Sequence, residues 1–393
     1  MSTVKTTITP NTNTGTSTSA PGMKFAGVAN GKFQPLPTPP GKFPFRLSLE
    51  KVLGKYISKK KMVFQTAGDT GAIKDPKPQH IVNRKMEEQF GCKKKEDNPL
   101  FFYHLGDVVY YYGEEKEYFN QFFEPYINYH APIFAIPGNH DGDIDPTDSA
   151  PPKSLSAFTK AFCDTKSRTL KIAGEAQRTS MIQPNVFWTL QAPLANMIGL
   201  YSNVPSGGAI KKDQHDWFIG ELKAAEAERQ HKAIIVTIHH PPYSIDNFHG
   251  ASDAMQKFLD KAFEETGVYP DLVLSGHVHN YQRFTKTYSS GHQLPYIVAG
   301  AGGYWHLHNV DTKAKPIYVP NNSFFPNVIL EEFNDNRHGF MRITIEKKGK
   351  TRTLKGEYFT VPRPQESWSA PAELVDYFSI DLVKRTVSNI KQH

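Results

Sequence analysis

The sequence predicts an α/β protein, in the broader α+β sense, built as a four-layer αββα sandwich of two mixed β-sheets flanked by helices. Short apolar runs alternate with segments of helical periodicity through most of the chain. The run 234–238 is almost continuously apolar, as expected for a strand that is buried on both faces. Later strands follow with shorter connections, which favours mixed sheets over purely parallel ones.

Predicted strands are the short apolar runs bounded by turn residues. In chain order they are 62–66, 101–105, 133–136, 186–190, 234–238, 272–274, 296–299, 340–345 and 354–359. The last two are joined by a hairpin turn at 348–350. Segments that repeat apolar residues every three to four positions predict helices. These are a short helix within 43–57, then 80–90, 114–129, 154–162, 211–229 and 255–263.

The chain has 393 residues, of which 38% are hydrophobic and 12% aromatic, so it can bury a large core. Residues 1–40 are rich in Ser, Thr, Asn, Gly and Pro without apolar periodicity, which predicts a disordered or surface-draped tail. We interpret 41–393 as a single domain with an insertion at about 142–185. Insertions of that kind often form a cap beside a site.

The formal charge of +7 and the pI near 9.0 would suit an anionic substrate. The lysines, however, fall in separate clusters at 59–61, 93–95 and 347–350. No interleaving of aromatic and basic residues and no helix-turn-helix pattern accompanies them, so we expect no nucleic-acid partner.

Cys92 and Cys163 are too far apart for a CxxC redox or zinc pattern, and one bridge or two free thiols remain equally open. The first thirty residues lack the apolar stretch of a signal peptide, and no run approaches the ~18 apolar residues of a membrane span. We therefore expect no membrane partner and cytoplasmic residence by default, although leaderless export would give the same pattern. The oligomeric state is open.

Five stretches place oxygen or imidazole ligands directly after an apolar run. They are 67–71, 106–110, 137–141, 237–241 and 275–279. The central one is 106–110, because Asp107 can bridge two metals and Tyr110 can close around one of them. Together the stretches describe a two-metal hydrolytic centre. Asp, Asn, His and Tyr ligands without cysteine suit Fe, Mn or Zn.

The type of metal depends on Gly71 and Tyr110. Many two-metal phosphoesterases have a histidine two residues after the first aspartate, whereas this chain has Gly71 there and Tyr110 is placed to replace the missing ligand. A phenol with a pKa of about 10 ionises at neutral or acidic pH only if a strongly cationic group binds it. Fe(III) fits this requirement best.

The five motifs read GDTG, GDVVY, GNHD, IHHPPY and GHVH in that order. In this they resemble the purple acid phosphatases, within the calcineurin-like metallophosphoesterase superfamily, whose motifs run GDxG, GDxxY, GNHD or GNHE, a His near a Pro, and GHxH. The resemblance covers roughly residues 62–305 and implies the metallo-dependent phosphatase fold. Since these residues leave no room for the amino-terminal domain of the large plant forms, we expect the chain to resemble a single catalytic domain.

Carried over by residue, the resemblance implies two neighbouring metal sites. The ferric ion would be held by Asp69, Tyr110 and His279, and the divalent partner, which would be Zn, Fe or Mn, by Asn139, His239 and His277. Asp107 would bridge the two ions.

The resemblance also implies roles for histidines that are not ligands. His140 would face the substrate, as general acid or as a hydrogen-bond donor to phosphate. His249 matches a substrate-facing histidine, while His240 has no assigned role. His306 and His308 follow a glycine-rich turn, in a loop that we expect to approach the site, and for both side chains we expect solvent exposure.

The function that this resemblance implies is a dinuclear-metal acid phosphatase that hydrolyses small-molecule phosphomonoesters through a metal-activated hydroxide and releases inorganic phosphate. A phosphodiesterase or nucleotide pyrophosphatase would use the same centre, because ligands alone do not fix how many ester groups a site accepts. A binding protein without turnover would require an impaired site, and no expected ligand is missing. Asn280 and Gln282 depart from the Ala and Glu that are usual in the large forms, which leaves finer substrate preferences open.

Overall fold

The computed structural model describes residues 31–55, 57–311 and 325–389. The strands are β1 Arg46–Ser48, β2 Lys61–Ala67, β3 Phe102–His104, β4 Ile133–Ala135, β5 Trp188–Gln191, β6 Ala195–Leu200, β7 Ala233–Ile238, β8 Leu272–Ser275, β9 Tyr281–Thr287, β10 Gln293–Ala299, β11 Val328–Asn334, β12 Gly339–Lys348, β13 Thr351–Thr360, β14 Glu373–Asp381 and β15 Thr386–Asn389. The α-helices are α1 Leu49–Leu53, α2 Lys77–Glu87, α3 Asn139–Gly142, α4 Ser156–Phe162, α5 Lys212–Ala227 and α6 Asp253–Thr266.

These strands form two mixed sheets, which confirms the predicted fold class. The first has the order β1-β5-β6-β7-β8-β10-β9-β11, and the second β15-β14-β13-β12-β2-β3-β4. Strands β6, β7, β8 and β10 of the first sheet are parallel neighbours, as are β2, β3 and β4 of the second. Parallel neighbours end at the same edge of a sheet. The loops that follow β2, β3 and β4 therefore meet, and so do those that follow β7 and β8.

The inner faces of the two sheets enclose one hydrophobic core. Tyr103 of β3 stacks on Trp188 of β5 with ring centroids 6.1 Å apart, and Phe134 of β4 meets the same indole at 5.6 Å. All three side chains are fully buried. Each such aromatic side chain contributes on the order of 2–3 kcal/mol of burial free energy, so the two parallel portions are held firmly together.

Because side chains alternate along a strand, the residue that precedes Tyr103 in β3 faces the outer side of the sheet. Phe102 points away from the other sheet and packs on Tyr126 and Tyr129, with ring centroids 5.7 and 6.0 Å apart. On the outside of the first sheet, Phe218 of α5 stacks on Phe258 of α6 at 5.7 Å. Helices thus cover the outer faces, as predicted.

The predicted helix 114–129 is wrong in type. The chain forms a 3₁₀ turn at Glu115–Glu117 and a π-helical turn at Phe119–Phe123. The Glu124 amide donates to the carbonyl of Phe119, five residues earlier, over 2.9 Å. A π turn brings residues five apart onto one face, so Tyr118 and Phe123 both reach the core, where their rings lie 6.3 Å apart.

Six strands escape prediction: β1, β6, β9, β11, β14 and β15. The cause is clearest in β9, whose polar Gln282 and Arg283 conceal a buried strand. Arg283 is only 3% exposed because Asp376 of β14 pairs with it inside the protein. An ion pair between side chains that lie about ninety residues apart leaves no local pattern in the sequence.

The structure bears in part on the predicted tail and insertion. Residues 1–30 lie outside the described residues, while 31–40 run over the body without regular structure. There the backbone N–H of Gln34 donates to Asn203 Oδ1 over 2.8 Å. The insertion contains α4 and a 3₁₀ segment, Lys171–Ala176. Across the described ranges, no helix combines the length and apolarity needed to cross a bilayer.

Candidate metal centre

The first acidic side chain of the site follows β2. Asp69 is fully buried, and its backbone lies in the left-handed region with φ 59°. Its Oδ2 accepts a hydrogen bond from the backbone N–H of His277 over 2.7 Å, which ties together the loops after β2 and β8. Its Oδ1 lies 3.3 Å from the hydroxyl of Tyr110 and 3.6 Å from Nε2 of His279. Three atoms that can bind a metal, each from a different loop, therefore converge.

Asp107 occupies the same position after β3. Its φ is 54°, and its Oδ1 accepts from the backbone N–H of His140 over 2.9 Å. Its Oδ2 lies 3.3 Å from Nε2 of His239. The loop carrying His140 comes so close that a Cβ on Gly138 would lie 2.1 Å from Asp107 Oδ1. Only glycine allows this approach.

Backbone carbonyls orient two of the imidazoles. His239 Nδ1–H donates to the carbonyl of Leu105 over 2.8 Å, and His279 Nδ1–H donates to that of His306 over 3.1 Å. Each bond fixes the tautomer that leaves Nε2 with a free lone pair, as metal-binding histidines require. His277 differs from these two histidines, because the nitrogen that faces the ligand group is Nδ1, which lies 3.0 Å from Asn139 Oδ1.

The seven predicted ligands form two adjoining groups. The first contains Asp69, Tyr110 and His279, and the second contains Asn139, His239 and His277. His239 Nε2 lies 3.1 Å from Asn139 Oδ1 and 4.0 Å from Asp69 Oδ1, so the groups touch. Ligand atoms of Asp107, His239 and His277 all lie within 4.8 Å of one another. Asp107 Oδ2 lies 3.3 Å from His239 Nε2 in the second group, and the Asp107 charge raises the pKa of Tyr110 in the first, so Asp107 acts on both groups.

Burial makes this arrangement electrostatically unfavourable without a cation. It raises the pKa of Asp69 well above its usual range, even though His239 opposes the shift. Burial also raises the pKa of Tyr110, and the charges of Asp107 and Asp69 raise it further. Burial alone would lower the pKa of His239, but the adjacent Asp107 carboxylate raises it to about 9. A cation bound between the two carboxylates and the phenol would therefore stabilise their ionised forms.

The donors present fit the implied metals. Carboxylate, amide, phenol and imidazole groups suit iron, manganese or zinc and leave no soft sulfur ligand. Cys92 and Cys163 lie away from the site as free thiols, which resolves the pairing that the sequence left open. The Tyr110 ring fills the space beside Gly71, where an added Cβ would lie 2.8 Å from Tyr110 Cδ2.

His140 and His249 contact different ligands of the site, His140 beside Tyr110 and His249 beside His277. His140 Nδ1–H donates to the carbonyl of Tyr111 over 2.9 Å, which leaves Nε2 available, and its ring lies 4.5 Å from that of Tyr110. His249 reaches the site from the loop after β7. Its ring centroid lies 4.2 Å from that of His277, while part of the side chain faces solvent.

His240, which had no predicted role, is buried behind His277. Its ring lies 4.3 Å from the His277 ring, and its Nδ1 lies 2.7 Å from the hydroxyl of Ser202. Of the other two histidines, His306 is exposed as expected, but the expectation for His308 is wrong. His308 is 3% exposed because its ring stacks on His279 at 4.3 Å and approaches Asp246 at 3.5 Å.

Tyr304 is a site residue that sequence reasoning missed. Its ring lies 4.4 Å from that of Tyr110 and 4.5 Å from that of His279, and its hydroxyl lies 3.2 Å from that of Tyr111. Its backbone N–H donates to the carbonyl of Asp69 over 2.9 Å. The available signal was the glycine-rich turn at 300–303, which lets this loop lie against the Asp69 loop.

Comparison with known proteins relates the same residues to a family. A family model described as calcineurin-like phosphoesterase matches residues 67–281, which is more than half of the chain. The match begins at the end of β2 and ends just after His279. It therefore spans all seven predicted ligands.

Curated relatives are plant proteins of low identity. Purple acid phosphatase 21 of Arabidopsis thaliana is 27% identical over 175 residues, which cover 43% of this chain and 36% of that protein. Purple acid phosphatase 18 of the same plant is 32% identical over 114 residues, covering 28% of this chain and 24% of the relative. The chain thus matches about a third or less of the length of these relatives.

Two solved structures share the fold. One is PhoD, with a TM-score of 0.52 and 15% identity, covering 91% of this chain and 74% of that chain. The other is GAP50, the anchor in the inner membrane complex of Plasmodium, with a TM-score of 0.50 and 16% identity, covering 80% of this chain and 90% of that chain. At such identities the likeness is one of fold alone.

Proposed function

Because this chain belongs to the calcineurin-like phosphoesterase family, we propose that it is an acid phosphatase that hydrolyses phosphate monoesters at a centre of Fe(III) beside a divalent Zn, Fe or Mn ion. Family membership supports phosphoester hydrolysis in general. The observation that carries the finer proposal is the Tyr110 hydroxyl, which lies 3.3 Å from both Asp69 Oδ1 and His279 Nε2. A buried phenol at this place favours a trivalent ion.

The ligand assignment follows the two groups in the structure. Asp69, Tyr110 and His279 would hold the ferric ion, and Asn139, His239 and His277 the divalent ion, with Asp107 between them. Two such ions would supply an acidified water as nucleophile and neutralise the charge of the phosphate group. An Fe(III) ion acidifies water more strongly than a divalent ion does, so we expect an activity optimum below pH 7.

The chain's own residues set the geometry. The carbonyls of Leu105 and His306 keep His239 and His279 in the tautomer that presents Nε2. The His140 backbone holds Asp107 in place, while its ring presents Nε2, because Nδ1–H is engaged with Tyr111. Nε2 of a protonated His140 can donate a proton to the departing alcohol. His249, whose ring lies beside that of His277, would bind the phosphate.

The test is a comparison of kcat/KM for p-nitrophenyl phosphate and bis(p-nitrophenyl) phosphate with metal-replete protein, between about pH 4 and about pH 8. We expect the monoester to be preferred by about 100-fold or more, with an acid optimum. A preference for the diester would instead establish a phosphodiesterase on the same centre. Absence of turnover on either ester would refute phosphatase activity, and Asp107→Asn provides the background rate.

A further inference from the structure

A large groove lies at the end of the second sheet that is opposite the metal centre. It has a volume of about 1050 Å³ and is lined by three segments of the chain, within 53–61, 90–100 and 130–132. These segments precede β2, β3 and β4, whereas the metal ligands follow the same strands. β2 has seven residues, so roughly 20 Å separates the two places.

Lysines from two clusters that are distant in sequence line this groove. The lining contains five lysines, which are Lys55, Lys59, Lys61, Lys94 and Lys95, against the single carboxylate of Glu96. Lys61 is neutralised by Asp97 and Glu346, at 2.5 and 3.0 Å. The other four are exposed and form no ion pair within the described part of the chain. The fold thus brings these positive charges to one surface without balancing them, and such a surface attracts anions.

The floor of the groove is apolar. Ile57 and Pro99 are buried beneath it, and Leu100 and Pro132 are half-buried. Leu53, at 36% exposed, extends the apolar surface towards solvent. The aromatic rings of this lining are Phe90, which is half-buried and packs edge-on against Tyr129 at 5.2 Å, and the exposed imidazole of His130.

We propose that this groove binds an acidic polypeptide segment whose carboxylates alternate with aliphatic side chains. The lysine rim complements carboxylates, and the aliphatic floor complements Leu, Ile or Val. In an extended segment successive side chains point to opposite sides, so one set contacts the floor while the other reaches the rim. Single-stranded nucleic acid binds through several exposed aromatic faces on which successive bases stack, whereas this lining offers the half-buried Phe90 and the imidazole of His130. A bilayer surface is flat, whereas this site is concave.

The experiment measures fluorescence anisotropy of labelled peptides of about ten residues with the whole protein. The test peptide is a Glu-Leu repeat. A Glu-Ser repeat measures the contribution of the negative charge alone, and a Lys-Leu repeat measures that of the apolar side chains without negative charge. Oligothymidylate and vesicles of acidic phospholipid test the other two classes of partner. The groove variant is Lys59→Glu/Lys94→Glu/Lys95→Glu. The matched control, Lys171→Glu/Lys223→Glu/Lys261→Glu, changes the net charge equally at exposed lysines outside the groove.

The Glu-Leu peptide should bind at least about tenfold tighter than either control peptide, and the groove variant should weaken it at least about tenfold. The matched control should retain affinity within about twofold. Equal losses in both variants, no binding of the Glu-Leu peptide, or tighter groove-dependent binding of oligothymidylate or vesicles would overturn the proposal. Turnover of p-nitrophenyl phosphate should be unchanged in both variants, so this proposal can fail while the phosphatase proposal stands.

Discussion

At the scale of single residues, the metal centre depends on backbone conformations that side chains usually avoid. Asp69, Asp107 and His277 have φ values of 59°, 54° and 68°. Non-glycine residues enter this left-handed region at a cost of about 1–3 kcal/mol each. Here the conformation turns each side chain back over the end of its strand, and buried hydrogen bonds between the loops hold it there.

The close contact between Gly71 and the Tyr110 ring leads to a prediction about a single substitution. A Cβ at residue 71 would lie 2.7 Å from Gln121 Oε1 and 2.8 Å from Tyr110 Cδ2. Gln121 also clamps the Tyr110 backbone through two hydrogen bonds of 2.9 Å. We therefore expect Gly71→Ala to displace the phenol and to reduce kcat/KM for p-nitrophenyl phosphate by about 100-fold.

A matched control for this change is Gly220→Ala. Gly220 lies in α5, and nothing is within 4 Å of a Cβ there. This variant should keep full activity and a slightly higher melting temperature. Unchanged activity in Gly71→Ala would show that the ring position is not critical.

His140 carries a prediction about the leaving group. If its free Nε2 protonates the departing alcohol, His140→Ala should lower kcat by about 100-fold or more for phenyl phosphate. The loss should be much smaller for p-nitrophenyl phosphate, whose leaving group needs little protonation. Equal losses for the two esters would instead indicate that His140 positions the phosphate.

The convergence of the seven proposed ligand side chains could be predicted from sequence, because each of them is encoded within a few residues of a strand end. Asp107 and Tyr110, for example, lie in one five-residue motif. Tyr304 and His308 could not be predicted in this way. Their positions depend on a loop that returns across the site after β10, held by contacts such as the stacking of His308 on His279. The glycine-rich turn at 300–303 indicates that this loop approaches the site, but the individual side-chain contacts have no local sequence pattern.

At the scale of elements, a buried ion pair joins the two sheets behind the site. Arg283 of β9 donates to Asp376 of β14 through Nε and Nη2, at 2.7 and 2.9 Å, and the Tyr281 hydroxyl donates to the same carboxylate over 2.6 Å. Tyr281 lies two residues beyond His279. This ion pair therefore anchors the strand that follows the last ligand motif.

Asp376→Ala should destabilise the protein by about 3–5 kcal/mol, because a buried charge loses its partner carboxylate. Urea unfolding followed by circular dichroism measures the change. The control is Asp216→Ala, which breaks an exposed pair with Lys212 and should leave the melting temperature unchanged. A loss below about 1 kcal/mol in Asp376→Ala would contradict an anchoring role.

His338 at the start of β12 predicts how stability depends on pH. Burial lowers the pKa of His338 to about 4, whereas an unfolded chain has about 6.5. The unfolded state therefore takes up the proton first, so the contribution is complete above about pH 6.5 and is lost as the pH falls to about 4, with a total of up to about 3 kcal/mol.

His338→Gln tests this in the metal-free protein. Glutamine keeps an N–H for the carbonyl of Tyr304, which accepts from His338 Nε2 over 2.8 Å, but it does not titrate. The free energy of unfolding should fall less steeply between about pH 6.5 and about pH 4 than in the unchanged protein. Parallel curves would exclude His338 as a source of acid sensitivity.

Strand prediction succeeded where burial on both faces gives an apolar run, as in β2 and β7. It failed where the interior satisfies polar side chains through distant partners, as in β9 and β14. The π turn at Phe119–Phe123 was missed because the residues 118–126 have the spacing of an ordinary α-helix, which does not distinguish the wider turn.

At the scale of the whole molecule, the fold separates two surfaces of different chemistry. Two carboxylates and the three predicted ligand histidines converge where the parallel strands end, and unpaired lysines converge where β2, β3 and β4 begin. The ligand motifs and the alternation of elements were enough to predict the first surface. The second could not be predicted, because the clusters at 59–61 and 93–95 meet only after β2 and β3 pair.

The most direct test of the central claim is metal analysis together with the visible spectrum of protein purified without added metal, for the unchanged chain and for Tyr110→Phe. We predict about two metal ions per chain, one of them iron, and a phenolate-to-iron charge-transfer band that disappears in Tyr110→Phe. A band that survives in Tyr110→Phe, or a centre that holds only zinc, manganese or magnesium, would contradict the assignment of Tyr110 as the ligand of a ferric ion.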